Sequence, residues 1–180
     1  MKSKNKAYII VITGIVIGLF SSCVTVPKGV KPVNSFKVEK YLGKWYEIAR
    51  LDMRFEKNLN NVTAEYSIRK DGNIKVNNQG YDVVKGKWKQ SIGKAKFLDD
   101  KNQGSLKVSF FGPFYAGYNV VAVDENYQYA LVAGSSEKYL WILSRTTTIP
   151  DNVKEDYLKI AQSMGYNTDN LVWVSHIEQK

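Results

Sequence analysis

The reactive side chains in this sequence are few and far apart. Cys23 is the single cysteine and His176 the single histidine. Nucleophilic catalysis needs a serine or cysteine beside a base, yet His176 falls in the C-terminal tail, far along the chain from Cys23. A metal centre needs histidine, cysteine or carboxylate groups at ligand spacing, and none are grouped that way. One cysteine also rules out an internal disulfide. A different chemistry fits better. Tyr66, Asn78, Trp88, Phe110, Tyr118 and Trp141 are mostly aromatic with a few polar groups, the mixture that encloses an apolar small molecule. The alternative for each is to fill a core, and Tyr118 opens a segment that is apolar at successive positions.

For those six to meet, strands must bring them to one surface, and the chain reads that way. "VTAEYSIR" places Val62, Ala64, Tyr66 and Ile68 on one face and Thr63, Glu65, Ser67 and Arg69 on the other. Lys70 to Asn73, "KDGN", supplies a turn. Ile74, Val76 and Asn78 then face inward, followed by Trp88, Gln90 and Ile92, with Lys87 and Lys89 outside. Gly93 reads as a bulge after which Ala95 and Phe97 resume the inner face. "SLKVSFF" continues the period through Leu106, Val108 and Phe110. "YNVVAVD", "YALVAG" and "YLWILSR" are nearly continuous apolar runs, which implies burial on both faces.

Something must cover those runs from outside. In "DNVKEDYLKIAQSMG", Val153, Tyr157, Ile160, Ala161 and Met164 recur at helical spacing. Asp151 or Asn152 can cap this helix, with Glu155 completing a capping box, and Gly165 can end it. A short strand, Leu171 to Val174, follows. Eight meandering strands and one helix predict an all-β fold, an eight-stranded antiparallel up-and-down β-barrel with the helix packed on its outside. An open sandwich is the alternative.

The N-terminus has its own pattern. Lys2, Lys4 and Lys6 precede an apolar run of 14 residues, Ala7 to Phe20, and then Ser21, Ser22 and Cys23. This is the layout of a secretory signal, and the run is too short to span a bilayer. "LFSSC" resembles the lipobox of bacterial lipoproteins, which implies lipidation at Cys23. The organisation expected is therefore a signal peptide over 1–22, a lipidated N-terminus and tether over 23–36, and a barrel domain over 37–180. Removal of the three lysines lowers the formal charge of +9 by three, an excess that suits anionic lipid headgroups better than nucleic acid.

The barrel reading sharpens at three motifs. Gly43, Lys44 and Trp45 resemble the G-x-W signature of the lipocalins, "VAVDENYQYALV" their second motif through Asp124 and Tyr127, and "WILSR" their third through Arg145. Together with "LFSSC", "RFEKNLNNVTAEYS" and "VSFFGPFYAGYNVVAVD", the chain resembles the bacterial outer-membrane lipoprotein lipocalins, near the apolipoprotein D group. That resemblance implies that Arg145 lies across the ring of Trp45 as a structural plug, and that Gly43 lets the chain turn into the barrel. It also implies storage or transport of a lipid at the outer membrane, with attachment through Cys23.

Physical reasoning narrows the lipid. Each CH₂ taken out of water gains about 0.8 kcal/mol, and a bilayer offers the same gain. A barrel therefore competes best for lipids that a membrane retains poorly, the single-chain fatty acids and lysophospholipids. The connection from Asp52 to Asn61 is longer than a hairpin needs and reads as a lid, in which Arg54 and Lys57 can meet a phosphate. No cofactor is expected. A lipid-modifying enzyme, which would turn on a carboxylate such as Glu47, and an envelope scaffold with a filled barrel are the other readings, and a homodimer is left open.

Overall fold

The computed structural model describes residues 24 and 26–177. Cys23 and the expected signal segment lie outside the described residues. A short helix α1 (Val38–Tyr41) leads into eight strands: β1 (Gly43–Leu51), β2 (Leu59–Ile68), β3 (Ile74–Asp82), β4 (Lys87–Phe97), β5 (Ser105–Phe111), β6 (Phe114–Val123), β7 (Tyr129–Ala133) and β8 (Leu140–Ser144). Helix α2 (Asp151–Ser163) and strand β9 (Leu171–Trp173) follow. Each strand from β1 to β7 pairs antiparallel with its successor, and β1 also pairs with β8, which closes the barrel. Closure satisfies the edge groups that an open sheet would expose.

The closure is uneven along β1. Gly43 to Tyr46 pair with β2, whereas Ala49 to Leu51 pair with β9. A bulge in β2 at Asn61 (φ 50°) turns that strand away from β1. The C-terminal segment fills the gap: Asn61 N–H donates to Ser175 O at 2.9 Å and Val174 N–H to Ile48 O at 2.9 Å. His176 serves here too, its Nε2 lying 2.8 Å from Glu47 O.

Two apolar clusters divide the sheet. Inside the barrel, Trp45, Tyr66, Val76, Ala95, Leu106, Val120, Val132 and Leu143 pack together. Outside, Ala49, Leu131, Ala133, Leu140 and Ile142 pack against Tyr157 and Ala161 of α2. The double-sided burial expected for the later strands thus has its cover in α2. The cap of that helix differs from expectation: Pro150 takes the N-cap position with no side-chain bond, so Asp151, Asn152 and Glu155 form no capping box. Pro150 suits that position because it needs no N–H there, and Asp151 lies where the helix dipole favours an anion. Gly165 (φ +90°) ends the helix.

The segment expected as a tether is docked from Val30 onward. Val30 and Phe36 are buried, Val33 N–H donates to Val120 O, and Phe36 N–H to Asn102 O. Two buried apolar side chains and these backbone bonds hold a segment that lacks periodicity of its own.

Strand β4 corrects the sequence reading. Its register against β3 runs unbroken from Asp82 opposite Lys87 to Ile74 opposite Ala95, so Gly93 is no bulge. Alternation counted back from Ala95 puts Gly93, Ser91 and Lys89 inside, and Trp88, Gln90 and Ile92 outside. Trp88 is 54% exposed and packs edge-on against Tyr81, and Ile92 is 53% exposed. Lys89, expected outside, turns to the barrel mouth and pairs with Asp82 at 2.8 Å. Ile68 also leaves the dry face, because it is the last residue of β2 with nothing packed over it. Gly93 has a packing reason instead: a Cβ there would sit 2.9 Å from the Phe110 ring and from Ser109 O. Replacing Gly93 by alanine should cost about 1 to 3 kcal/mol through overpacking and displace Phe110 into the barrel, as denaturant titration and near-ultraviolet circular dichroism would report.

Candidate functional site

The strands run so that one barrel end is plugged and the other open. At the plugged end Trp45 is fully buried at the start of β1, and its indole N–H donates to Tyr41 O at 2.8 Å. Arg145, just after β8, places its guanidinium carbon 3.8 Å from the Trp45 ring centroid. The same group donates to the carbonyls of Lys40, Leu42, Lys44 and Tyr127 at 2.8 to 3.1 Å. One side chain so ties α1, β1 and the β6–β7 turn together. Gly43 carries the chain past it at φ +89°, a left-handed conformation that residues with a side chain rarely adopt. Asp124 organises the β6–β7 turn by accepting from the backbone N–H groups of Asn126, Gln128 and Tyr129.

Above this plug lies a cavity of ≈ 710 Å³ that opens between the β1–β2, β3–β4, β5–β6 and β7–β8 connections. Its wall is mainly apolar, with Leu59, Val62, Ile74, Val76, Leu106, Val108 and Leu143 among the lining residues. Tyr66, Asn78, Phe110, Tyr118 and Trp141 also line it, whereas Trp88 does not.

Polar groups enter the wall at two levels. Low in the barrel, Tyr118 Oη lies 2.7 Å from Tyr41 Oη and 2.8 Å from Tyr66 Oη, a chain of three hydroxyls. Burial raises the pKa of all three phenols, so they stay neutral donors and acceptors. Asn78 presents a buried Oδ1 with no protein partner.

Higher up, Glu47 and Arg50 of β1 meet Glu56 of the β1–β2 connection. Arg50 Nη1 donates to Glu47 Oε1 at 2.8 Å, and Nη2 to the carbonyls of Glu56 and Leu59 at 2.7 and 3.2 Å. Trp141 Nε1–H donates to Glu56 Oε2 at 3.1 Å. Arg50 reaches this cluster because the register of β1 against β8 shifts between Glu47 and Ala49, which turns residue 50 to the inside. Desolvation raises the pKa of both carboxylates; the neighbouring Glu56 raises that of Glu47 further, and Arg50 opposes the shift in each. Beside them Trp141, Tyr139 and Phe55 stack in sequence toward the mouth, with centroids 6.3 and 6.2 Å apart.

Sequence reasoning missed Tyr41, Glu56 and Tyr139 as lining residues. Tyr41 precedes the first strand, and Glu56 and Tyr139 sit in connections, so no period marks them. Glu47 was legible, two residues beyond Trp45 on the same face.

Comparisons with known proteins agree with this geometry. A family model described as a lipocalin-like domain matches residues 36–176. The outer membrane lipoprotein Blc of Escherichia coli (strain K12) is 53% identical over 150 residues, covering 83% of this chain and 85% of that protein. Apolipoprotein D of Rattus norvegicus is 37% identical over 125 residues, 65% of each chain. Among solved structures, insecticyanin from the tobacco hornworm Manduca sexta superposes with a TM-score of 0.70 at 23% identity, covering 86% of this chain and 88% of that one.

Proposed function

The chain belongs to the lipocalin family, and from that premise we propose that its barrel carries a single-chain lipid, a fatty acid or a lysophospholipid, at the outer membrane. One observation bears most of the weight: an open-mouthed cavity of ≈ 710 Å³, within the range of small-molecule sites and lined largely by apolar and aromatic side chains. An acyl chain would run down past Phe110 and Val108 toward the three tyrosines. The open cavity speaks against a scaffold whose interior is filled. Glu47, the carboxylate that a lipid-modifying enzyme would use, is occupied by Arg50. Our reading is therefore a binding protein rather than an enzyme.

The place follows from relatives and from chemistry. The Escherichia coli relative is named an outer membrane lipoprotein. Lipidation of Cys23, which precedes the docked segment, would hold this chain at a membrane, since more than one acyl chain makes such attachment stable where a single chain is marginal. Val24 follows Cys23 in place of an aspartate that would favour the inner membrane.

Native mass spectrometry tests the reading. Purified protein challenged with palmitate or a lysophospholipid should retain one lipid per protomer. Val108→Trp, which places an indole in the cavity, should weaken retention about tenfold or more, a loss of at least 1.4 kcal/mol, while the circular dichroism spectrum is unchanged. An unsubstituted protein that rejects every single-chain lipid overturns it.

A further inference from the structure

Large apolar side chains are exposed at several places, Ile68, Ile92, Trp173 and Ile177 among them, but four gather at one end of the barrel. Phe111 is 83% exposed, Phe114 74%, Val84 73% and Phe55 60%. All four belong to the connections around the cavity mouth or to the strand ends beside them. Exposed apolar side chains grouped at one end of a domain mark an interaction surface. This one has a specific shape: tips of three separate hairpins projecting from one end of the barrel.

Charge identifies what the tips meet. The connections at the open end carry exposed Arg54, Lys57, Lys85, Lys87 and Lys138, against exposed Asp52 and Glu137. The β3–β4 hairpin, from Val83 to Lys87, has two exposed valines and two exposed lysines and no acid. At the plugged end the turns mix both signs, with Asp71 beside Arg69 and Lys70, and Asp99 and Asp100 beside Lys101. Aromatic tips flanked by cations are the pattern that enters the headgroup region of an anionic bilayer: the rings take the acyl boundary and the lysines take the phosphates.

We propose that the barrel mouth docks on the surface of an anionic phospholipid bilayer through Phe55, Val84, Phe111 and Phe114, with Lys85 and Lys87 on headgroup phosphates. Phe55, Phe111 and Phe114 also line the cavity. A docked mouth therefore makes the cavity wall continuous with the acyl layer, and a single-chain lipid passes between them without crossing water. The inference rests on the carrier reading and adds to it a surface, a partner and a route of entry.

The test uses the full-length protein reconstituted in vesicles of phosphatidylcholine with and without phosphatidylglycerol. Gly112→Cys puts a label between the two phenylalanines of the β5–β6 hairpin, where a Cβ meets nothing within 4 Å. Asn126→Cys puts the same label on an exposed turn at the plugged end. An environment-sensitive fluorophore at 112 should brighten, shift to the blue and be quenched by brominated acyl chains, more so with phosphatidylglycerol, while the label at 126 does none of this. The triple change Val84→Ser, Lys85→Glu and Lys87→Glu should return the label at 112 at least halfway to its undocked signal and leave lipid retention unchanged.

Equal, unquenched signals at 112 and 126 in both vesicle types overturn the proposal. So does a stable dimer in which the labels at 112 quench each other without bromolipid quenching, since the occupant is then a second copy. Lipid retention measured on the same preparations separates the two ideas: loss of docking with retention intact sinks this inference alone, and loss of retention with docking intact sinks the carrier alone.

Discussion

Trp45→Ala lowers the melting temperature by about 10 °C while each molecule that stays folded keeps its lipid affinity. Truncating a fully buried tryptophan costs about 3 to 5 kcal/mol, and here it also removes the ring beneath Arg145, a stacking contact of about 0.5 to 2 kcal/mol. A domain of this size loses about 2 to 4 °C for each kcal/mol. The guanidinium would keep its four carbonyls but lose the surface that orients it. Lipid affinity survives because Trp45 is not part of the cavity wall. Arg145→Lys is the companion variant: an ammonium cannot fork between Lys40, Leu42 and Lys44, so its melting temperature should also fall. Thermal unfolding followed by lipid titration below the transition checks both. Complete loss of binding from a well-folded Trp45→Ala protein would show that the plug belongs to the ligand site.

An effect of similar size is expected at Arg50→Met. Removing one partner from a buried ionic cluster leaves the other charges uncompensated and costs about 3 to 5 kcal/mol. Arg50 is the one guanidinium facing two buried carboxylates, and it also holds the β1–β2 connection through the carbonyls of Glu56 and Leu59. Adding Glu47→Gln should restore part of the stability, because a neutral amide needs no counter-charge. The pH dependence has a definite sign. Glu47 and Glu56 bind protons more tightly folded than unfolded, since burial raises both above the ordinary value of 4.5. Their favourable contribution is fully present below that value and is lost as pH rises from it through the raised folded values. Arg50→Met removes the charge that opposes the shift, so its deficit relative to the parent should grow as pH rises across that window. Denaturant unfolding at a series of pH values measures this, and a deficit independent of pH would show that Arg50 acts by packing alone.

Some of this molecule was readable without coordinates. Alternation of period two identified β2, β3 and β5, and the apolar runs of the later strands with one amphipathic helix foretold a barrel covered on one side. Five of the six side chains expected inside, Tyr66, Asn78, Phe110, Tyr118 and Trp141, line the cavity, and Trp88 does not. Those features are local, since the spacing of residues along one segment decides which share a face.

Which of two faces turns inward is another matter. In β4 the more apolar face, Trp88 and Ile92, is the outer one, and Ser91 and Lys89 point to the mouth. Periodicity is the same in either frame; the long-range register against β3 chooses between them. The polar cluster was hidden for a similar reason. A register shift between Glu47 and Ala49 moves Arg50 inside, and Glu56 arrives from a connection without a period. Tyr118 finds Tyr41 and Tyr66 across 77 and 52 residues of chain. Sequence by itself thus determined the strands and the helix, because each is a property of nearby residues, while the plug residues Trp45 and Arg145 were named by their resemblance to lipocalin motifs. Only the closed sheet decided what faces the cavity, because register and bulges are settled between strands that meet late along the chain.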